Sequence, residues 1–190
     1  MVIGLTGLTG AGKSTAAELL SRRGCHIIDA DKVARRVTDR PDILEKIKTA
    51  FGAECINADG TLNRRTLGQI VFNDAEKLQL LNSITHPPIT ADMLAEAKAH
   101  DGETVVLDVP LLKESGLDKV CDLVLRITAP EDVRAGRIIA RDGLSPEEAR
   151  ARISSQAPFG GPCIDIDNSG SEKELENRLT EVLCGQGLKI

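Results

Sequence analysis

A glycine-rich segment near the start of the chain carries the clearest chemical signal. Residues Gly7-Leu8-Thr9-Gly10-Ala11-Gly12-Lys13-Ser14 fit the pattern G-x-x-x-x-G-K-[ST], with an apolar stretch before them and a helical pattern after them. Glycines allow consecutive backbone N–H groups to point into one concavity, and the N-terminus of the following helix adds partial positive charge. The segment therefore predicts a P-loop that binds the phosphates of a nucleoside triphosphate.

The end of this loop predicts phosphoryl transfer. Lys13 is expected to reach the β- and γ-phosphates, and the Ser14 hydroxyl is expected to ligate Mg²⁺. The residues predicted to contact ATP are Gly7, Gly10, Ala11, Gly12, Lys13, Ser14 and Thr15. The chain has no Asn-Lys-x-Asp element for reading guanine, which favours a small-molecule kinase over a GTPase.

Three aspartates follow predicted strands. Asp29 and Asp31 end the apolar stretch at 26–28, and Asp108 ends the stretch at 104–107. Doubly wound sheets bind ligands at such strand ends, and a kinase needs a group that accepts or orients the proton of the acceptor hydroxyl. Asp31 is the favoured base, with Asp29 and Asp108 as alternatives, and Asp108 is predicted to hold Mg²⁺ through water. The competing interpretations are a helix cap for Asp29 or Asp31 and a turn for Asp108.

Arginines recur toward the C-terminal part of the chain. Arg134, Arg137 and Arg141 share one face of a predicted helix, and Arg150 and Arg152 follow in the next helix. Phosphoryl transfer spreads negative charge over three oxygens, so arginines that close over the site would stabilise it. A solvated arginine-rich face is the alternative.

Short apolar strands alternate with helical patterns along the chain. Strands are expected at 2–6, 26–28, 104–107 and 123–127, which predicts an α/β fold with a parallel sheet covered by helices on both faces. Residues 32–100 are mostly helical in pattern, with interruptions at Gly52, at 57–60 and at His86-Pro87-Pro88. His86 is either a substrate-binding group or a turn residue. Further on, capping boxes start two helices, one pairing Ser145 with Glu148 and one pairing Ser171 with Glu174.

Composition limits the kinds of partner. The chain of 190 residues has a net charge of −5, which disfavours a surface that neutralises many nucleic-acid phosphates. Its five cysteines form no C-x-x-C pair, so we expect free thiols in a reducing compartment. No apolar run reaches about 18 residues. We therefore expect a cytosolic protein that binds neither nucleic acid nor membranes.

Taken together, these segments resemble the dephospho-CoA kinase family. The blocks that carry the resemblance are Ile3 to Gly7, Ile28 to Asp31, Gly60 to Arg64, Ile84 to Pro87, Asp108 to Leu112 with Glu114, Arg141 to Ser145, Arg152 to Gln156 and Asp167 to Gly170. The resemblance implies ATP-dependent phosphorylation of the ribose 3′-hydroxyl of dephospho-coenzyme A, with Mg²⁺. It also implies a P-loop NTPase fold similar to that of nucleoside monophosphate kinases.

The resemblance further implies roles for regions and residues. The core would comprise 1–31, 101–135 and 164–190, with a helical substrate domain at about 32–100 and a lid at about 136–163. Asp31 would be the base, Arg141 a catalytic phosphate contact, and Arg152 a second phosphate contact from the lid. The implied substrate-binding residues are Asp31, Arg64, His86, Leu111 and Glu114.

The chain departs from the family pattern at three places. Lys113 stands where an aromatic residue is usual, and Asn63 replaces a more usual Asp. The segment between Gln156 and Asn168 is shorter than usual and lacks a basic helical stretch. Two alternatives therefore stand beside the dephospho-CoA kinase. One is another kinase of the same fold acting on a nucleoside monophosphate or sugar acid, and the other is an ATP-binding regulator without turnover.

Overall fold

A parallel sheet forms the centre of the structure, a computed structural model that describes residues 1–156 and 159–188. Within the described residues the sheet contains five strands, β1 (Val2–Gly7), β2 (His26–Asp29), β3 (Val105–Asp108), β4 (Leu123–Thr128) and β5 (Ile164–Asp167). Their spatial order is β2-β3-β1-β4-β5, which places β1 in the middle. The predicted α/β fold, with a parallel sheet and helices on both faces, is confirmed.

Helices connect these strands. They are α1 (Lys13–Arg22), α2 (Ala30–Thr38), α3 (Pro41–Phe51), α4 (Arg64–Val71), α5 (Ala75–Ala99), α6 (Glu131–Asp142), α7 (Pro146–Ser154) and α8 (Glu172–Gly185). Both predicted capping boxes are present, at the starts of α7 and α8. None of the helices in the described residues is both long enough and apolar enough to span a bilayer.

The main core lies between the sheet and the pair α1 and α8. Ile3 and Leu5 point from β1 into this layer and are fully buried with Leu20 and Leu179. Alternate residues of a strand point to opposite faces, so Gly4 faces the other side. A Cβ on Gly4 would lie 2.7 Å from Leu112 Cδ2, and the segment after β3 therefore packs directly on the β1 backbone.

The chain folds into two compact units. The first contains residues 1–28 and the described part of 97–190, and it holds the P-loop and nearly all of the sheet. The second is Asp29–Glu96, with α2, α3, α4 and most of α5. Within the second unit, ion pairs connect α2 and the residues after it to α5, from Arg36 to Glu96 at 2.6 Å and from Arg40 to Asp92.

Helix α5 shows that one prediction was wrong. An interruption was expected at His86-Pro87-Pro88, but α5 continues through both prolines. Each proline removes one backbone donor and crowds the carbonyl four residues earlier. Thr85 and Met93, on either side, are buried, and this tertiary packing outweighs the local penalty.

Candidate active site

The P-loop lies between β1 and α1, at the carboxyl edge of the sheet. Gly10 and Gly12 have φ values of +78° and +93°, in the left-handed region that glycine adopts without strain. A Cβ on Gly10 would lie 2.7 Å from the backbone oxygen of Arg134. Gly12 caps α1 without any side-chain hydrogen bond, so the first N–H groups of this helix are available to an anion.

Lys13 and Asp108 form an ion pair beside this loop. The two side chains are only 19% and 10% exposed, so their interaction is screened less than that of a surface pair. Asp108 ends β3 and is in register with Leu5 of the neighbouring β1. The pairing of two parallel strands thus brings together residues 95 positions apart in the sequence.

Oxygen donors suited to a divalent metal are present at the same edge. Ser14 is exposed in the first turn of α1, and the Asp108 carboxylate lies at the end of β3. The described residues include no group of three or more His, Cys, Asp or Glu side chains that would hold a metal alone. A hydroxyl and one carboxylate fit Mg²⁺, which usually takes its other ligands from water and substrate phosphates.

Two residues from distant segments bind the carbonyls of the P-loop. Arg137 Nη1 donates to the oxygens of Gly10 and Ala11 at 3.5 and 3.4 Å, and its Nη2 donates to the oxygen of Asn168 at 2.8 Å. The Asn168 side-chain amide donates to the Ala11 oxygen at 2.8 Å, and a Cβ on Gly12 would overlap it. Arg137 and Asn168 thus fix the carbonyls of the loop from outside. Two of the loop N–H groups are themselves engaged, that of Ala11 with the Leu8 oxygen at 3.0 Å and that of Thr9 with the Gln156 side chain at 2.7 Å.

Replacing Arg137 by alanine will weaken ATP binding by about tenfold to hundredfold, because hydrogen bonds from a charged donor to the loop carbonyls are lost. Inorganic tripolyphosphate has no base or sugar, and its affinity, measured by calorimetry, will fall by a similar factor. The matched control is Arg22→Ala, at the far end of α1, where Arg22 pairs with Glu172. If Arg137→Ala weakens ATP but leaves tripolyphosphate unaffected, Arg137 acts on the nucleoside and not through the loop.

The other predicted arginines have different environments. Arg134 is only 9% exposed, and its Nη1 atom has no hydrogen-bond partner among the described residues, so the solvated-face interpretation is wrong for this residue. Arg141 and Arg152 are exposed and both bind Asp142, at 2.7 Å in each case. The hydrogen bond from Arg141, with the charge of both arginines, lowers the pKa of Asp142. One ionised carboxylate therefore holds both arginines that were predicted to contact phosphates.

The second unit contains the remaining predicted polar residues. Asp29 caps α2, accepting hydrogen bonds from the backbone N–H groups of Asp31 and Lys32 at 2.9 and 3.2 Å. Asp31 is exposed in the first turn of α2. Arg64, at the start of α4, donates to Thr38 and Asp39 at 2.9 and 3.0 Å. His86 is exposed on α5.

Leu111 and Glu114 line a cavity of about 180 Å³ next to Gly7. Its other walls include Gln156 and Phe159. Gln156 Oε1 accepts a hydrogen bond from the Thr9 backbone N–H at 2.7 Å, which connects the residues after α7 to the P-loop. The cavity thus adjoins the phosphate-binding segment within the first unit.

Sequence reasoning missed the roles of several residues in this region. No local sequence pattern indicates that Asn168, Gln156 or Phe159 contacts the P-loop or the cavity. A weak signal existed, because Gln156 and Asn168 both fall in blocks that resemble the family. Strand β5, which leads to Asn168, was not predicted because its four residues alternate apolar and acidic side chains over too short a length.

Solved structures share this architecture. TT1252 from Thermus thermophilus superposes with a TM-score of 0.83 at 35% identity, covering 97% of each chain. A sugar kinase from Janibacter, at 16% identity and a TM-score of 0.52, shares the fold alone. A phosphate-binding loop whose lysine pairs with a carboxylate on the neighbouring strand suits phosphoryl transfer. By fold and site, the chain is a P-loop kinase.

The family model for dephospho-CoA kinase matches residues 1–160. The dephospho-CoA kinase of Corynebacterium efficiens is 45% identical over 191 residues, an alignment that covers 96% of this chain and 95% of that protein. The dephospho-CoA kinase from Campylobacter jejuni has a TM-score of 0.71 at 30% identity, covering 98% of each chain. The chain belongs to the dephospho-CoA kinase family.

Proposed function

We propose that this chain transfers the γ-phosphoryl group of ATP to the ribose 3′-hydroxyl of dephospho-coenzyme A. The products are coenzyme A and ADP, and the reaction is the last step of coenzyme A biosynthesis. The observation that carries the proposal is the Lys13–Asp108 pair beside the P-loop, in a chain that aligns with dephospho-CoA kinases over almost its whole length.

The P-loop binds the donor. The backbone N–H groups of Gly10 and Gly12 and the N-terminus of α1 take the phosphates, with Ala11 and Thr15 beside them, and Gly7 begins the cradle. Lys13 donates to the β- and γ-phosphate oxygens. Ser14 and, through water, Asp108 would hold Mg²⁺, which neutralises charge on those oxygens when it is bound with ATP.

The lid at about 136–163 supplies further positive charge. Arg141 and Arg152 are exposed and share Asp142, so a phosphate group with several negative oxygens competes well for both guanidinium groups. If both guanidinium groups moved from Asp142 to the γ-phosphate, they would place positive charge next to the oxygens on which negative charge builds up during the reaction. This exchange makes Arg141 a catalytic group and Arg152 a phosphate contact.

Asp31 is the base that takes the proton of the acceptor hydroxyl. Of the three candidate carboxylates, Asp29 is engaged as the cap of α2 and Asp108 is paired with Lys13. The Asp31 carboxylate has no hydrogen-bond partner among the described residues and is exposed. It therefore has the free oxygen that a general base needs.

The second unit is the substrate domain, at about 32–100. Arg64 and His86 offer a cation and an imidazole to the acceptor, and Leu111 and Glu114 offer an apolar and a charged contact from the core. The five cysteines are free thiols, which suits a reducing compartment, and we place the reaction in the cytosol.

ADP release by the purified protein tests the function. The assay contains ATP, Mg²⁺ and dephospho-coenzyme A, with AMP and gluconate as alternative acceptors in parallel. We expect turnover with dephospho-coenzyme A at least about tenfold faster than with either alternative. Turnover with AMP or gluconate alone would identify another kinase of this fold, and ATP binding without turnover would identify a regulator.

A further inference from the structure

Arg134, on helix α6, is a buried cation that no acidic side chain neutralises. The residue is only 9% exposed, and its Nη1 atom is shielded from solvent without a hydrogen-bond partner among the described residues. No ion pair in that part of the chain includes Arg134, although Glu131 and Asp132 lie within one helical turn of it. A buried charge without a partner costs free energy in the folded protein. Such a group therefore points to a function that compensates for the cost.

The backbone of Arg134 lies against the P-loop. A Cβ on Gly10 would lie 2.7 Å from the Arg134 backbone oxygen and 3.0 Å from both its Cα and its Cβ. Gly10 thus contacts α6 with no space for a side chain between them. The Cα–Cβ bond of a helical residue tilts toward the N-terminus of its helix, here toward Pro130, two residues after the end of β4. The charge of Arg134 is therefore held near the loop, at the carboxyl edge of the sheet.

Two other cations at this loop already have partners. Lys13 pairs with Asp108, so these two side chains together carry no net charge. Arg137 donates to backbone oxygens, including that of Ala11 at 3.4 Å. A triphosphate carries several negative charges, and charges act on one another more strongly where little water lies between them. The unneutralised charge of Arg134 is therefore suited to attract the phosphates through the loop.

Packing of the aliphatic stem is the alternative role for Arg134. Long cationic side chains often cover apolar surface with their stems while the charged end reaches water. Ile138, one turn further along α6, is indeed buried together with Ala149 and Ile153 of α7. The shielded Nη1 atom does not fit this role, because part of the charged end of Arg134 is itself removed from water.

We propose that Arg134 is a positioning residue of the donor site, whose buried charge draws a polyphosphate onto the P-loop and is compensated only when the phosphates are bound. This inference rests on the proposed function, since it assigns a role at the ATP site. The same charge then destabilises the protein without ligand and stabilises the complex. Removing the charge while keeping the stem should therefore raise stability and lower affinity.

Arg134→Met keeps an unbranched apolar stem and removes the charge. We expect its Kd for inorganic tripolyphosphate, measured by calorimetry with Mg²⁺, to rise about tenfold or more. Its Tm without ligand should equal or exceed that of the wild type, because a buried charge is replaced by an apolar group. Arg134→Lys restores the charge and should restore most of the affinity. The matched control is Arg150→Met, at an exposed position of α7, which should leave both values unchanged.

Three results would overturn the inference. A Kd that stays unchanged in Arg134→Met would show that the charge does not act on the phosphates. A raised Kd that Arg134→Lys does not reverse would assign Arg134 to packing of α6 against the loop. A lower Tm of Arg134→Met without ligand would show that the charge is not a cost to the folded protein.

Turnover with dephospho-coenzyme A is measured separately, so that this inference and the kinase function can fail independently. If the wild type binds tripolyphosphate but does not phosphorylate dephospho-coenzyme A, the kinase function fails, and the Kd and Tm values still decide the role of Arg134. If the wild type binds neither tripolyphosphate nor ATP, both are overturned.

Discussion

A Lys13→Ala variant will lose about 10³-fold or more in the rate of ADP release with ATP and dephospho-coenzyme A. Lys13 is the cation of the P-loop, and in the proposed function it contacts the phosphate that is transferred. Removing one preorganised charge contact commonly costs about 10²- to 10³-fold in rate. The Lys13 side chain is only 19% exposed, so water cannot replace it without reorganisation. The measurement is a coupled ADP assay at saturating acceptor.

The control for this prediction is Lys119→Ala, which removes one lysine charge at the surface of the same unit and should keep full activity. Circular dichroism of both variants verifies that each is folded. If Lys13→Ala keeps turnover within about tenfold of the wild type, another cation stabilises the negative charge of the transferring group. Arg134, whose backbone lies against Gly10, would then be the next residue to replace.

The second large effect is expected at Asp31. Asp31→Asn will reduce kcat by about 10²- to 10⁴-fold with little change in the KM for ATP, because the amide cannot accept the proton of the acceptor hydroxyl. Steady-state values of kcat and of the KM for ATP, measured for the variant and the wild type, decide this point.

Asp29→Asn is a matched control for that experiment. Asn caps helices about as well as Asp, so the hydrogen bonds from Asp31 N–H and Lys32 N–H to residue 29 survive while its charge is removed. We expect nearly normal turnover from this variant. A large loss of turnover in Asp29→Asn, together with a small loss in Asp31→Asn, would identify Asp29 and not Asp31 as the base.

Features that depend on neighbouring residues were predictable from the sequence. The P-loop is specified within eight residues, and the capping boxes at Ser145 and Ser171 each involve partners three positions apart, confirmed by the bonds to Glu148 and Glu174. Strands β1 and β3 were recognisable as short apolar runs. Local steric and hydrogen-bonding preferences determine these elements, and a single sequence displays such preferences directly.

Features that depend on tertiary contacts were not predictable in the same way. Asn168 binds Ala11 across 157 positions of sequence, and Arg137 binds it across 126. The spacing of Arg134, Arg137 and Arg141 indicated a shared helix side but not that Arg134 is buried while Arg141 is exposed. Depth of burial depends on what packs against the helix, which periodicity alone does not reveal.

The contact between Asn168 and the P-loop bears on what the minimal active unit of this protein is. The family model ends its match at residue 160, so a truncated chain ending there would retain the entire glycine-rich motif. It would nevertheless lack β5 and the amide that holds the Ala11 carbonyl. The glycine-rich motif and the Asn168 amide that holds it therefore belong to one structural unit, although they stand near opposite ends of the sequence.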